Sequence, residues 1–225
     1  MGNRTRTLTA MYAAMRRRFG HQNWWPGDTA LEMCVGAILT QNTNWGNVAR
    51  ALTNLKAAAA LDLVVLHEMP PAKLAELIRP AGYFNIKARR LKNFIARVAE
   101  DFTANLAAFL NRDVPQLRAD LLAINGIGPE TADSIILYAA HKPSFVVDAY
   151  THRILLRHGL AKRRYGYDAI KSMIERALPQ DAELWNDYHA QLVAVGKTHC
   201  RPRAICRGCP LQRFAHDEHK QPVRR

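Results

Sequence analysis

A chain of 225 residues that is 48% hydrophobic can bury one substantial core or two smaller lobes, which excludes a disordered or low-complexity protein. Its formal net charge of +13 points to a polyanionic partner, nucleic acid first. No apolar run approaches the ~20 residues of a membrane span, and the N-terminal segment lacks the uninterrupted apolar stretch of a secretory leader. A cytoplasmic, nucleoid-associated protein is therefore expected.

In chain order, Leu8, Met11, Tyr12, Met15 and Phe19 recur at helical spacing and predict an amphipathic helix over about 7–19. Gly20 closes it, and Arg16, Arg17 and Arg18 near its end suit either the negative helix dipole or a phosphate. Trp24 and Trp25 lie in a turn-rich stretch, and adjacent aromatics cannot both face one core. Asp28 or Thr29 caps a strongly apolar helix through Leu31, Cys34, Val35, Ile38 and Leu39. A polar break from Gln41 to Trp45 precedes Val48, Leu52 and Leu55, where the helical period resumes. Between Leu61 and Ile78 the pattern gives two short helices around Pro70-Pro71, with Pro80 and Gly82 ending the second.

After Tyr83-Phe84-Asn85 comes a basic amphipathic helix carrying Lys87, Arg89, Arg90, Lys92 and Arg97, with Ile86, Leu91, Phe94, Ile95 and Val98 on the buried side. Val114-Pro115 opens a helix that turns Leu117, Leu121, Leu122 and Ile124 inward. Phe145-Val146-Val147 is too brief for a sheet, and about 148–157, 165–177 and 181–196 read as helices. The expected fold is all-α.

Asn125-Gly126-Ile127-Gly128 lies between two apolar-periodic segments, Pro129 suits the first position of a helix, and Glu130 falls in its first turn. Such a turn presents the N–H groups of Ile127 and Gly128 outward, as an anion site for a DNA phosphate. Taken alone, Gly-Ile-Gly-Pro reads equally well as an ordinary helix connection. The run from Ile124 to Asp133 is followed by Val146-Val147-Asp148 and Arg153, and preceded by Leu39-Thr40-Gln41-Asn42-Thr43 and Gly82-Tyr83-Phe84-Asn85-Ile86-Lys87-Ala88. These ordered motifs, over roughly residues 28 to 209, resemble the helix-hairpin-helix and Gly/Pro-Asp signature of the endonuclease III superfamily of DNA glycosylases.

That resemblance implies two helical domains flanking a base-binding cleft: a six-helix domain over 29–143, with the helix-hairpin-helix at about 117–140, and a second domain of 1–28 plus 144–225. It implies a monomer acting on double-stranded DNA that carries a damaged base, in base excision repair. Asp148 matches the catalytic aspartate, though by itself it reads as a helix cap. Gln41 is the candidate to fill the space of an extruded base, against a helix-cap amide, and Tyr83 the candidate wedge, against a packed tyrosine. Gly126, Ile127, Gly128 and Lys87 complete the expected DNA contacts.

The slot for a lyase lysine holds Glu130, and a carboxylate cannot form an imine, so the chain resembles the monofunctional members. A bifunctional glycosylase/lyase survives only if another amine acts, and a catalytically silent DNA-binding protein is the remaining alternative. Trp24, Trp25 and Trp45, with Glu130 and Lys197, form the expected base pocket, most similar to the 3-methyladenine glycosylase branch, in which aromatic faces attract an alkylated base. A mismatch thymine, uracil or oxidised pyrimidine remains open.

Three of the four cysteines, Cys200, Cys206 and Cys209, lie in a loop at 200–209 that resembles the superfamily's four-cysteine loop for a [4Fe–4S] cluster. The first gap is five residues rather than six, and the fourth slot, after a gap of five, holds Ala215. His216 or Asp217 as substitute, zinc on three thiolates with His216, or no metal are the open outcomes.

Overall fold

The computed structural model describes residues 2–221, among which there are helices and turns but no strand. The chain divides into two compact units, one of residues 25–142 and one that joins the residues up to Trp24 to those from Pro143 onward.

The first unit contains α2 (Ala30–Leu39), α3 (Trp45–Ala57), α4 (Leu63–Glu68), α5 (Pro71–Leu77), α6 (Phe84–Asp101), α7 (Leu106–Leu110), α8 (Val114–Ala123) and α9 (Pro129–Ser134). The last runs on through a π-helical turn, Ile135–Ala139. Thr29 caps α2, its hydroxyl accepting from Glu32 N–H at 3.2 Å. Because α2 buries Leu31, Cys34, Val35, Ile38 and Leu39, it packs at once against α3, α6 and the π turn and forms the centre of the core. α7 was not expected: five residues are too few to show a helical period.

Two apolar residues expected inside are exposed. Ile86 on α6 is 41% accessible and Leu122 on α8 is 37% accessible. On α6 the buried stripe is Lys87, Leu91, Phe94, Ile95 and Val98. Ile86 lies five positions before Leu91, off that face, whereas Lys87 falls four before it, on the face.

In the other unit α1 (Asn3–Phe19) packs on α12 (Ala182–Thr198), as does α10 (Ala149–Arg157), and α11 (Tyr167–Glu175) lies between the last two in sequence. Tyr12 stacks on Tyr188 with centroids 5.2 Å apart, and its hydroxyl donates to Asp187 at 2.7 Å. Arg16 reaches the same buried carboxylate at 3.3 Å, so one of the three terminal arginines is a structural ion-pair partner. Gly196 lets α12 pass α10, since an added Cβ would lie 2.3 Å from Tyr150 Cδ1. That close approach brings the N-terminus of α10 against side chains of α12.

Candidate functional site

Asp148 is the N-cap of α10, with Oδ1 accepting from Thr151 N–H at 2.7 Å. Its other oxygen, Oδ2, lies 3.6 Å from His189 Nε2 of α12, with both side chains largely buried. The capping and the site readings thus describe different oxygens of one carboxylate. Burial pushes the carboxyl up, but the bond and charge of His189 together with the Thr151 contacts outweigh it and hold Asp148 below the usual carboxylate range. It is a stably ionised, partly desolvated anion, suited to stabilising a nearby cation. His189 was not singled out in the sequence, where nothing marks a histidine in an apolar helix as a partner for Asp148.

In the other unit α8, the turn and α9 form the hairpin. Gly126 has φ +99°, and a Cβ there would lie 2.2 Å from Arg90 Cγ, so glycine is required by both conformation and space. Ile127 differs from its expected role: its side chain is buried and its N–H donates to Ile124 O at 3.0 Å, so this amide closes the turn and is not directed outward. Gly128 is exposed, with open space where a Cβ would be added. Glu130 is exposed in the first turn of α9. Gln41 is bound to this hairpin, its Nε2 donating to Gly126 O and to Thr131 Oγ1 at 3.0 Å each, while Arg90 Nη1 donates to its Oε1.

The basic helix α6 divides its cations between inside and outside. Lys87, expected to contact DNA, is buried, and its ammonium donates to Leu39 O at 2.9 Å and Ala81 O at 2.7 Å. The carbonyls at the end of α2 and of the 79–81 turn need donors, and a lysine stem is long enough to supply one through the core. Lys92 likewise donates to Leu66 O and Met69 O at 3.0 Å, and Arg97 pairs with Asp101 and Asp120. Arg89 and Arg90 instead line a groove with Ile86, Asn93, Asn125 and Gly126, between α6 and the hairpin turn. Tyr83, at the start of α6, is 68% exposed and holds the left-handed conformation at φ 48°. A tyrosine there costs on the order of 1 kcal/mol, the kind of strain that collects at functional positions.

The aromatic set is split between the units. Trp25 meets Trp45 edge-on at 4.9 Å and Tyr138 at 5.0 Å, with Gly36 leaving room for its ring. Trp24, in the other unit, carries the Lys197 ammonium 5.4 Å from its ring centroid. Tyr138, which sequence reasoning passed over, is nearly fully buried and gives no periodic signal in the π turn.

Cys200, Cys206 and Cys209 line one cavity together with His158, His199, His216 and Glu218. Arg157, almost fully buried, holds the loop: Nη1 donates to Cys200 Sγ at 3.2 Å and Arg201 O at 2.7 Å, and Nη2 to Pro202 O at 2.8 Å. Burial, and after it the Glu218 carboxylate, pushes the Cys206 thiol up to about 11, and burial pushes Cys209 up as well, so metal binding here would release protons. Among the described residues no three His, Cys, Asp or Glu side chains are gathered so as to hold a single metal ion.

A helix-hairpin-helix with a nearby basic groove suits a phosphate backbone, and a desolvated carboxylate capping a later helix suits a developing positive charge. The profile of the HhH-GPD superfamily of base excision DNA repair proteins matches residues 35–180, and the chain belongs to that superfamily. It is 46% identical over 213 residues to "Putative DNA repair glycosylase MJ1434" of Methanocaldococcus jannaschii, covering 94% of this chain and 97% of that one. It is 26% identical to endonuclease III of Thermotoga maritima over 79% of this chain and 78% of that one. Among solved structures it is similar to the H. pylori 3-methyladenine DNA glycosylase (MagIII) bound to 1,N6-ethenoadenine, at 28% identity and TM-score 0.74 over 87% and 98% of the two chains. A non-covalent endonuclease III–DNA complex shares the fold at 19% identity and TM-score 0.80 over 95% and 96%. The chain is thus a DNA glycosylase of base excision repair, endonuclease III-like. No helix among the described residues is long and apolar enough to cross a membrane.

Proposed function

We propose that the chain is a monofunctional glycosylase that hydrolyses the bond between deoxyribose C1′ and an alkylated purine, with Asp148 as its catalytic carboxylate. The observation that carries this reading is the largely buried Asp148 carboxylate, held below the usual carboxylate range beside His189; in the sequence, the slot where lyases keep an amine holds Glu130. As the base departs with the bonding electrons, positive charge builds on the sugar ring, and the Asp148 carboxylate stabilises it. Water then bonds to C1′, and Asp148 Oδ2 takes its proton. Without an amine no imine joins protein to sugar, so the product is an abasic site in an unbroken strand.

The alkylated purine is supported by the likeness to MagIII and by Trp24, Trp25 and Trp45, whose faces suit an electron-poor base. On this reading Tyr83 is the wedge, Gln41 leaves its hairpin bonds to fill the vacated stack, and Gly128, Arg89 and Arg90 contact phosphates. The three cysteines belong to a [4Fe–4S] site whose role is structural. A cluster would cross-link the loop that presents Arg203 and Arg207, both exposed.

Duplex oligonucleotides bearing 3-methyladenine, 1,N6-ethenoadenine, uracil, a T·G mismatch or thymine glycol, each resolved with and without alkali, test this directly. Strand breaks on an alkylpurine substrate only after alkali are expected. Breaks without alkali that borohydride traps contradict the monofunctional reading, and release of a pyrimidine alone contradicts the alkylpurine one.

A further inference from the structure

We infer that His216 is the fourth ligand of an iron–sulfur cluster held by Cys200, Cys206 and Cys209. This rests on the cluster reading of the loop and is independent of the glycosylase chemistry. The superfamily's four-cysteine pattern, with gaps of six, two and five, is replaced here by gaps of five, two and six that end on His216, so the residue lost from the first gap returns in the last. The span from Cys200 to His216 is therefore that of the four-cysteine loop.

The side chains agree with the count. His216 lines the same cavity as the three thiols. Its Nδ1 lies 2.8 Å from Phe214 O, a carbonyl that can only accept, so Nδ1 is the donor and Nε2 is the nitrogen left to face a metal. A metal-binding imidazole is ordinarily oriented in this way, by a backbone acceptor on its far nitrogen.

The donors that flank His216 in sequence are otherwise engaged, and Glu218, in the same cavity, accepts from Cys206 Sγ at 3.2 Å. Ala215, in the original slot, has no donor side chain, and its carbonyl meets His158 Nδ1 at 3.1 Å. The Asp217 carboxylate accepts from His219 N–H at 3.1 Å and lies 3.7 Å from Lys220 Nζ. A lone zinc ion needs its donors within about 2.3 Å of one point, and no three of these donors are gathered for a single ion. A cluster of several irons takes its ligands at the corners of a larger body. The Arg157 guanidinium at Cys200 Sγ supplies positive charge beside the thiolates. Because imidazole is neutral, this ligand set leaves the cluster less negative than four thiolates would and raises its potential, as histidine ligands do in Rieske centres.

The test uses the full chain, purified anaerobically from iron-replete cells, with assays of iron, acid-labile sulfide and zinc, and pulsed EPR of the reduced cluster for nitrogen coupling. We expect about four irons per chain, a nitrogen coupling, and loss of most iron in His216→Ala. His216→Cys should retain the iron, lose the nitrogen signal and lower the reduction potential. His158→Ala and Asp217→Ala should retain iron and signal alike. If His216→Ala does not fold by circular dichroism, His216→Cys decides through the nitrogen signal. Wild type without iron, wild type loaded with zinc instead, or a nitrogen coupling that persists in His216→Cys overturns the assignment. Since no readout involves base release, failure here leaves the proposed glycosylase chemistry standing.

Discussion

His189 Nε2 stands 3.6 Å from Asp148 Oδ2 while Thr151 N–H holds Oδ1 at 2.7 Å, so the two oxygens of one carboxylate are set by two different helices. Burial alone raises the Asp148 pKa, and His189 is the first of the groups that bring it down. Replacing His189 by Ala removes that counterweight, so Asp148 should take up a proton at higher pH than in the wild type. We expect base release to fall on the order of tenfold at neutral pH, about 1.4 kcal/mol. The acid limb of the pH–rate profile should move upward, with DNA affinity unchanged. An unmoved acid limb contradicts the pairing.

The two hairpin glycines should separate folding from binding. Gly126→Ala combines a positive φ with a Cβ 2.2 Å from Arg90 Cγ, and should destabilise by about 2–4 kcal/mol in urea unfolding. Gly128→Ala adds its methyl into open space and should leave the unfolding midpoint unchanged. It should weaken duplex binding by fluorescence anisotropy, because the methyl stands where a phosphate approaches the turn. Equal stability losses at the two sites would contradict this division.

Lys87 gives a pH dependence of defined sign. Burial lowers its pKa from 10.5 to about 8. The unfolded chain therefore binds the proton more tightly, and the penalty for burying the ammonium is complete below about pH 8. It is relieved as pH rises from about 8 toward 10.5. Relative to Lys87→Met, the wild type should gain on the order of 1–3 kcal/mol of unfolding free energy across that window. Urea curves of both proteins at pH 7.5 and 10 measure it, and a constant difference would mean an ammonium that is not desolvated.

Glu130 tests the missing amine. Glu130→Lys should yield a borohydride-trapped protein–DNA adduct on an abasic duplex, while the wild type yields none. Trapping by the wild type would reveal another amine, and no trapping by the variant would mean that this position does not reach C1′.

Much of the fold was legible because local chemistry announces it. Thr29 and Asp148 cap the helices they precede, and the paired prolines and Gly82 interrupt the period where α4, α5 and α6 meet. What escaped depends on partners far along the chain. Lys87 was read as a surface cation because its residue type suggested it, although its spacing to Leu91 placed it on the buried face beside the Leu39 carbonyl. Ile127 was expected to present its amide outward, but the turn closes through that amide onto Ile124 O. His189 carries no local mark, since its role exists only where α12 meets the end of α10.

The most direct test of the central claim is single-turnover release of 3-methyladenine from a duplex oligonucleotide by wild type and Asp148→Asn, with DNA affinity measured alongside. The account predicts that Asp148→Asn binds the duplex as the wild type does and releases base roughly a hundredfold or more slowly. Release by Asp148→Asn at the wild-type rate would show that this carboxylate only caps its helix, and that the catalytic group lies elsewhere.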